Sequence, residues 1–282
     1  MRWTPGGQSP NIEDRRNSGI GGGGMRLGLG GMIILFILSV VFRRDFFSLL
    51  NVSPGGTTAT TSSQPNPAQD AKEQPLVQFV SFVLDDAQNE WKQLLPAQAG
   101  RPYTDAKLVL FRDAVNSACG LAQSASGPFY CPGDQKVYID LGFYDELKNR
   151  FGATGDFAQA YVLTHEIGHH VQNLLGIDSQ VRRAQQSNPG VANELSVRLE
   201  LQADCLAGVW GHSTEQRNIL EQGDVEKALN AAAAIGDDRL ARMSGRQVTP
   251  ESFTHGTSAQ RVQWFQTGFN SGNLSACNTF AN

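Results

Sequence analysis

The run Thr164–His165–Glu166–Ile167–Gly168–His169–His170 holds three of the chain's five histidines and contains the pattern His-Glu-x-x-His. On a helix, His165 and His169 are four residues apart, so both imidazoles project from one face, about 6 Å apart. Two neutral imidazoles held in this way can take two corners of a tetrahedral Zn²⁺ site and leave room for a third ligand and a water. Glu166 is one step round the helix from His165 and can reach that water without ligating the metal. Its role is that of a general base, taking a proton from the water and delivering one to the leaving amine. His170 points roughly 100° away from His169 and stays outside the ligand set.

The element that must carry these residues is a helix. Phe157, Tyr161 and Val162 before the motif, and Val171, Leu174 and Leu175 after it, keep apolar residues at helical spacing. Asp156 is the predicted N-cap and Gly176 the stop. A second helix is predicted over 191–211, where Val191, Leu195, Leu199, Leu206 and Val209 recur between Pro189-Gly190 and Gly211. Glu200 and Asp204 lie four apart on it and share a face. That suits Glu200 as third ligand, with Asp204 accepting the Nδ1–H of a ligand histidine and fixing its tautomer. Glu194 is a competing third ligand but lacks an aspartate at i+4. A solvated face with Arg198 as partner is the structural alternative. His212, just past Gly211, reads as a surface or capping residue.

The longer wording around these residues resembles a known family. Leu163–Gln172, then Arg198–Gly208 (RLELQADCLAG), then Phe253–Phe269 (FTHGTSAQRVQWFQTGF) are similar to the bacterial neutral zinc metallopeptidases, and His-Glu-x-x-His followed by Glu-x-x-x-Asp resembles the thermolysin-type gluzincin arrangement. The resemblance covers most of 76–282 plus an N-terminal anchor. It implies a single membrane-anchored domain with a compact gluzincin-like, predominantly helical α+β fold and zinc-dependent peptidase activity. It names no substrate. His255 followed by Arg261 resembles the late motif of related membrane gluzincins, where Pro usually stands in place of Gly256. By that resemblance either His255 or Arg261 donates to the oxyanion of the tetrahedral intermediate. Arg261 bracing the Glu200/Asp204 helix, with His255 capping, is the alternative.

The chain has 282 residues and a net charge of −4, so no global basic field draws it onto nucleic acid. The four cysteines (Cys119, Cys131, Cys205 and Cys277) form no Cys-x-x-Cys. Outside the cytoplasm they are expected to pair: Cys119–Cys131 closing a short loop, and Cys205–Cys277 tying the C-terminal tail to the ligand helix. Four free thiols is the other possibility.

In chain order, residues 1–24 are polar and glycine-rich and read as a disordered cytoplasmic tail. Residues 25–44 read as a transmembrane helix. The apolar run Leu27–Phe42 spans about 24 Å as a helix, and Arg26, Arg43 and Arg44 can snorkel from its ends. Basic residues before the run, Arg2, Arg15, Arg16 and Arg26, outnumber those just after it. This bias orients a single-pass protein of the bacterial cytoplasmic membrane with its catalytic domain outside. Residues 45–75, rich in Ser, Thr, Pro and Gly, read as a linker, and 76–282 as the zinc metallopeptidase domain. A first core helix is predicted from Leu76 to Pro96, with strands at Lys107–Phe111 and Gln135–Asp140. Val137–Asp140 is the candidate edge for pairing with a substrate backbone. Short helices are predicted over 143–150, 214–222 and 225–235, and Ser258–Phe269 follows Thr257 as cap.

The expected activity is therefore hydrolysis of peptide bonds, with Zn²⁺ as cofactor and a peptide or protein as substrate. The alternatives are a zinc-binding membrane scaffold without catalysis and a zinc hydrolase acting on cell-wall peptides.

Overall fold

Asn66 and Pro67 start the first long helix, α1 (Pro67–Ala99), which runs to a left-handed Gly100. The Asn66 side chain accepts the Gln69 backbone N–H, and Pro67 occupies the first turn, where a missing N–H costs nothing. The helix therefore begins nine residues before the predicted Leu76, and residues 67–75 leave the expected linker. Pro96 lies in the last turn, and its carbonyl accepts the Gly100 N–H instead of ending the helix. Val77, Val80, Leu84, Trp91 and Leu95 are buried along α1, as their spacing implied. The computed structural model describes residues 1–18, 66–124, 127–245 and 247–281.

Next to α1 lies a four-stranded sheet in the order β1-β2-β6-β5, formed by β1 (Ile12–Asp14), β2 (Lys107–Phe111), β6 (Lys136–Asp140) and β5 (Phe129–Cys131). β1 and β6 run parallel to β2 on its two sides, and β5 is antiparallel to β6. Both predicted strands are present, but Val137–Asp140 is not an edge. β6 pairs on both sides, and among the described residues the unpaired edge beside it is that of β5, flanked by Pro128 and Pro132. Between β2 and β5 an antiparallel hairpin, β3 (Ala114–Ser117) and β4 (Gly120–Gln123), stands apart from the sheet. The Cys119–Cys131 disulfide joins its turn to β5.

The expected disordered tail is wrong for residues 1–16, which form one compact unit with residues 66–282. β1 pairs with β2, and the Trp3 ring packs 5.3 Å from that of Phe79. The Met1 amino group lies 2.8 Å from the buried Asp224 carboxylate. Arg16 is 4% exposed and bonds both Asp14 and Glu73, so it contributes little to any charge bias along a membrane. An extended segment that buries a few scattered residues shows no helical periodicity, so a glycine-rich context conceals it. The expected membrane helix at 25–44, and the parts of the tail and linker expectations over 19–65, lie outside the described residues. Among the described residues no helix is long and apolar enough to cross a membrane.

The remaining chain is helical: α2 (Gly142–Asn149), α3 (Asp156–Leu175), α4 (Ile177–Ser187), α5 (Ala192–Gln216), α6 (Asp224–Ala234), α7 (Asp237–Met243) and α8 (Ser258–Ser271). Thr257 and Gln260 form the capping box of α8. α5 does not stop at Gly211, and the predicted separate helix over 214–222 is its continuation followed by a turn. The glycines of α5 serve close packing instead. A Cβ on Gly208 would lie 2.1 Å from the Phe265 carbonyl, and one on Gly268 of α8 would lie 1.9 Å from the Cys205 carbonyl. Past α8, a short turn at Leu274–Cys277 is bonded to α5 through Cys205–Cys277. Both expected disulfides are thus present.

Contacts this close leave no room for a methyl group. Gly268→Ala is expected to force α5 and α8 apart at a loss of about 1–3 kcal/mol. An unchanged melting temperature in a circular-dichroism melt would contradict the packing described.

Candidate metal centre

α3 starts at Gly155, whose positive φ of 99° turns the chain into the helix. Asp156 is its first residue and not its side-chain cap. Its carboxylate instead accepts the Trp3 indole N–H at 3.0 Å, which fastens the N-terminal segment to this helix. Nine and thirteen residues further on, His165 and His169 face α5. Glu200 stands opposite, with its Oε2 3.2 Å from His165 Nε2 and its Oε1 3.4 Å from His169 Nε2. Ligand atoms about 2.0–2.1 Å from a tetrahedral zinc are about 3.3 Å apart; each histidine–glutamate distance matches this, and all three donors lie within 4.8 Å of one another. The two nitrogens and one oxygen also fit the donor preference of zinc. Among the described residues this is the one group of three His, Cys, Asp or Glu side chains close enough to share a metal. Gly168, between the histidines, makes the approach possible, because a Cβ there would lie 3.0 Å from the Ala203 carbonyl of α5.

Behind the ligands lies a buried polar cluster. His165 Nδ1 is 2.9 Å from Asp204 Oδ1. The same carboxylate accepts two N–H bonds from Arg261, at 2.8 and 2.9 Å, and the Tyr161 hydroxyl at 2.5 Å. Asp204 and Tyr161 have no exposure, and Arg261 has 1%. Burial alone would raise the Asp204 carboxyl, but the Arg261 guanidinium and then His165 hold it below the usual range. Burial keeps the Tyr161 phenol protonated, as a donor. Burial would lower His165, yet Asp204, followed by the Glu200 hydrogen bond, pushes the imidazole up to about 10. Burial likewise opposes ionisation of Glu200, but the imidazoles reverse this and bring its carboxyl well below the ordinary value. His169 Nδ1 is held by Gln172 Oε1 at 2.8 Å.

The cluster opens into a cleft of about 580 Å³ lined by His165, Glu166, His169, Glu200 and His255. Phe129 and Tyr130 of β5 line it also, as do Phe143, Phe151 and Leu240. Glu166 is 7% exposed, and burial raises its carboxyl despite the neighbouring imidazoles. His255 stands half exposed in the cleft, with Nδ1 3.3 Å from Asp237 Oδ1. The other oxygen of Asp237 accepts three consecutive backbone N–H groups, from Thr254, His255 and Gly256. The Asp237 hydrogen bond, opposed by burial, leaves His255 raised. Gly256 has φ 88°, a conformation closed to proline, so glycine suits this loop.

The structure thus brings together His165, Glu166, His169, Glu200, Asp204, Arg261 and His255. Arg261 lies behind the ligands on Asp204, as the bracing reading expected, and His255 stands in front. Glu194 is exposed and paired with Arg198, which removes it from the ligand set. His170 is buried against Thr104 and Tyr130, and His212 bonds the Phe269 carbonyl. Three participants were missed. Tyr161, four residues before His165, and Gln172, three after His169, carried a helical-spacing signal. Asp237 carried none, being 18 residues from His255 in a helix the periodicity did not reveal.

The family model described as "Putative neutral zinc metallopeptidase" matches residues 1–280. The chain is 50% identical over 290 residues to "Uncharacterized protein YpfJ" of Escherichia coli (strain K12), with 99% of each chain covered. It is 44% identical over 202 residues to "Uncharacterized protein Mb2605" of Mycobacterium bovis, covering 68% of this chain and 66% of the relative. No solved structure matches it.

In metal-free protein the raised His165 favours the folded state while protonated. Its stabilisation is full below the ordinary imidazole pKa of about 6.5 and is lost as pH rises towards about 10. The melting temperature of chelator-treated protein is expected to fall between pH 7 and 10. A rise over that window would contradict the assignment.

Proposed function

The chain belongs to the putative neutral zinc metallopeptidase family, and from that premise we propose that it is a zinc-dependent peptidase whose metal is held by His165, His169 and Glu200. The observation that carries the proposal is the convergence of these three donors at ligand spacing, in a cleft that Glu166 also lines. In this reading the arrangement is of the gluzincin kind, with two histidines on one helix and the glutamate on a later one. Bound zinc would lower the pKa of water and polarise the scissile carbonyl.

The other steps belong to the chain's own side chains. Glu166, its carboxyl raised by burial, accepts a proton from the attacking water and passes it to the leaving nitrogen. Asp204 accepts the His165 Nδ1–H and so keeps Nε2 directed at Glu200. His255, oriented by Asp237 and raised by that bond, donates to the developing oxyanion. Arg261 does not take that role in this reading, since it is 1% exposed and four of its five N–H groups are spent on Asp204, Tyr161 and Ile235. An extended peptide pairs with β5, the free edge that lines the cleft, instead of with β6. Phe143, Phe151 and Leu240 suit an apolar side chain beside the cleaved bond.

The two disulfides favour an oxidising compartment. Residues 1–16 belong to the same unit as the cleft, so we place the N-terminal segment in that compartment too, and not in the cytoplasm.

Glu166→Gln is expected to retain zinc and lose peptide hydrolysis; a fully active variant would contradict the mechanism. His255→Ala is expected to lower kcat about 10²–10³-fold with zinc content unchanged, and parental kcat would remove His255 from catalysis. Gln8 is exposed, so Gln8→Cys is expected to react with a membrane-impermeant maleimide once the outer barrier is opened. Protection until cell lysis would place the segment in the cytoplasm.

A further inference from the structure

Gln172 is fully buried on α3, and Gln202 is 6% exposed on α5. The Gln172 amide nitrogen lies 2.7 Å from the Leu199 carbonyl and 3.0 Å from Gln202 Oε1. The Gln202 amide nitrogen in turn lies 2.9 Å from the backbone carbonyl of Cys277. Cys277 is bonded to Cys205, three residues beyond Gln202.

A backbone carbonyl can only accept, and this fixes the direction of every link. The Cys277 carbonyl requires N–H from Gln202, which turns Gln202 Oε1 towards Gln172. Gln202 Oε1 and the Leu199 carbonyl then require both N–H groups of Gln172, which turns Gln172 Oε1 towards His169. Reversing either amide would set donor against donor or acceptor against acceptor. His169 therefore carries a ring hydrogen on Nδ1, which leaves Nε2, 3.4 Å from Glu200 Oε1, as the nitrogen free to bind a metal.

We propose that Gln172 and Gln202 are positioning residues for His169, and that the Cys205–Cys277 disulfide anchors this relay by holding the carbonyl at its end. The proposal rests on the metal-ligand reading given under Proposed function. His165 takes its tautomer from a charged carboxylate, and His169 takes its own from a chain of neutral amides. Gln172 also grips the carbonyl of Leu199, the residue before Glu200, so one side chain sets ligands on both helices. The tail has a second hold nearby, where the Thr279 hydroxyl donates to the Arg198 carbonyl at 2.7 Å.

The test uses the full chain and reads metal binding, not turnover. Zinc affinity is measured by competition with a chromogenic chelator, and ligand geometry by the visible spectrum of the Co²⁺ form. Gln172→Leu is expected to weaken zinc binding about 10–100-fold and to alter the Co²⁺ spectrum. Gln202→Leu is expected to lose less, and the double variant no more than Gln172→Leu alone, because Gln202 acts through Gln172. Thr214→Ala, a buried polar change on the same helix, is expected to lower the melting temperature without moving either readout. Parental affinity and spectrum in Gln172→Leu, or additive losses in the double variant, overturn the relay. The Cys205→Ser/Cys277→Ser protein is expected to bind zinc more weakly than the parent, and equal affinity overturns the anchor. Should that protein not fold, Thr279→Val loosens the same tail, and the same comparison applies. A parent chain that binds no zinc would defeat the ligand reading itself, an outcome distinct from all of these.

Discussion

A carboxylate without any exposure to water, Asp204, is the constraint on which the site depends. An isolated buried charge costs several kcal/mol, and the cost is offset only if its oxygens are fully engaged. Arg261, Tyr161 and His165 together do this. Glu166, Glu200 and Asp204 set three carboxylates about the ligand imidazoles, with the Arg261 guanidinium against one of them. A divalent cation offsets this negative charge. Without one, protons must: Asp204, followed by the Glu200 hydrogen bond, keeps the His165 imidazole protonated up to about 10. Metal and protons compete for the same charge deficit.

Such a cluster can exist only where helices approach closely enough to exclude water. Gly168 lets α3 reach α5, and Gly208 and Gly268 let α5 reach α8. The first contact brings Glu200 within ligand spacing of both histidines. The second brings Arg261 onto Asp204. The other wall of the cleft is built separately. β5 is pinned to the β3–β4 hairpin by one disulfide, and the Tyr130 hydroxyl meets His170 of α3 at 3.0 Å. His170, adjacent to a ligand in sequence, thus faces away from the metal position and joins the ligand helix to the strand proposed to hold substrate.

Much of the centre was legible because helical spacing is local. His165 with His169, and Glu200 with Asp204, share faces by arithmetic alone, and the thiols could pair in the way that closed sensible loops. Long-range pairing was less legible. Nothing in Val137–Asp140 says that β5 will add beyond it, since a buried strand and an edge strand of this length share one pattern. The stop expected at Gly211 fails because the glycine serves packing against Phe269 and Phe157, and at Pro96 the helix runs one more turn to Gly100. The N-terminal segment defeated composition altogether. Its partners, Phe79, Asp156 and Asp224, lie far away in the chain.

The late motif offered two cations for one role, and burial separates them. Arg261 is 1% exposed and directs one N–H at Ile235 and three at Asp204 and Tyr161. To donate to a substrate oxygen it would have to release Asp204, leaving a buried carboxylate uncompensated and the His165 tautomer unset. A permanently charged guanidinium is well suited to that fixed task. His255 has the complementary properties: half exposed, anchored through Nδ1 and three backbone N–H groups to Asp237, and charged only when protonated. An oxyanion donor must be preorganised yet accessible, and of the two only His255 meets both conditions. One cation maintains the site, and the other is left to act in it.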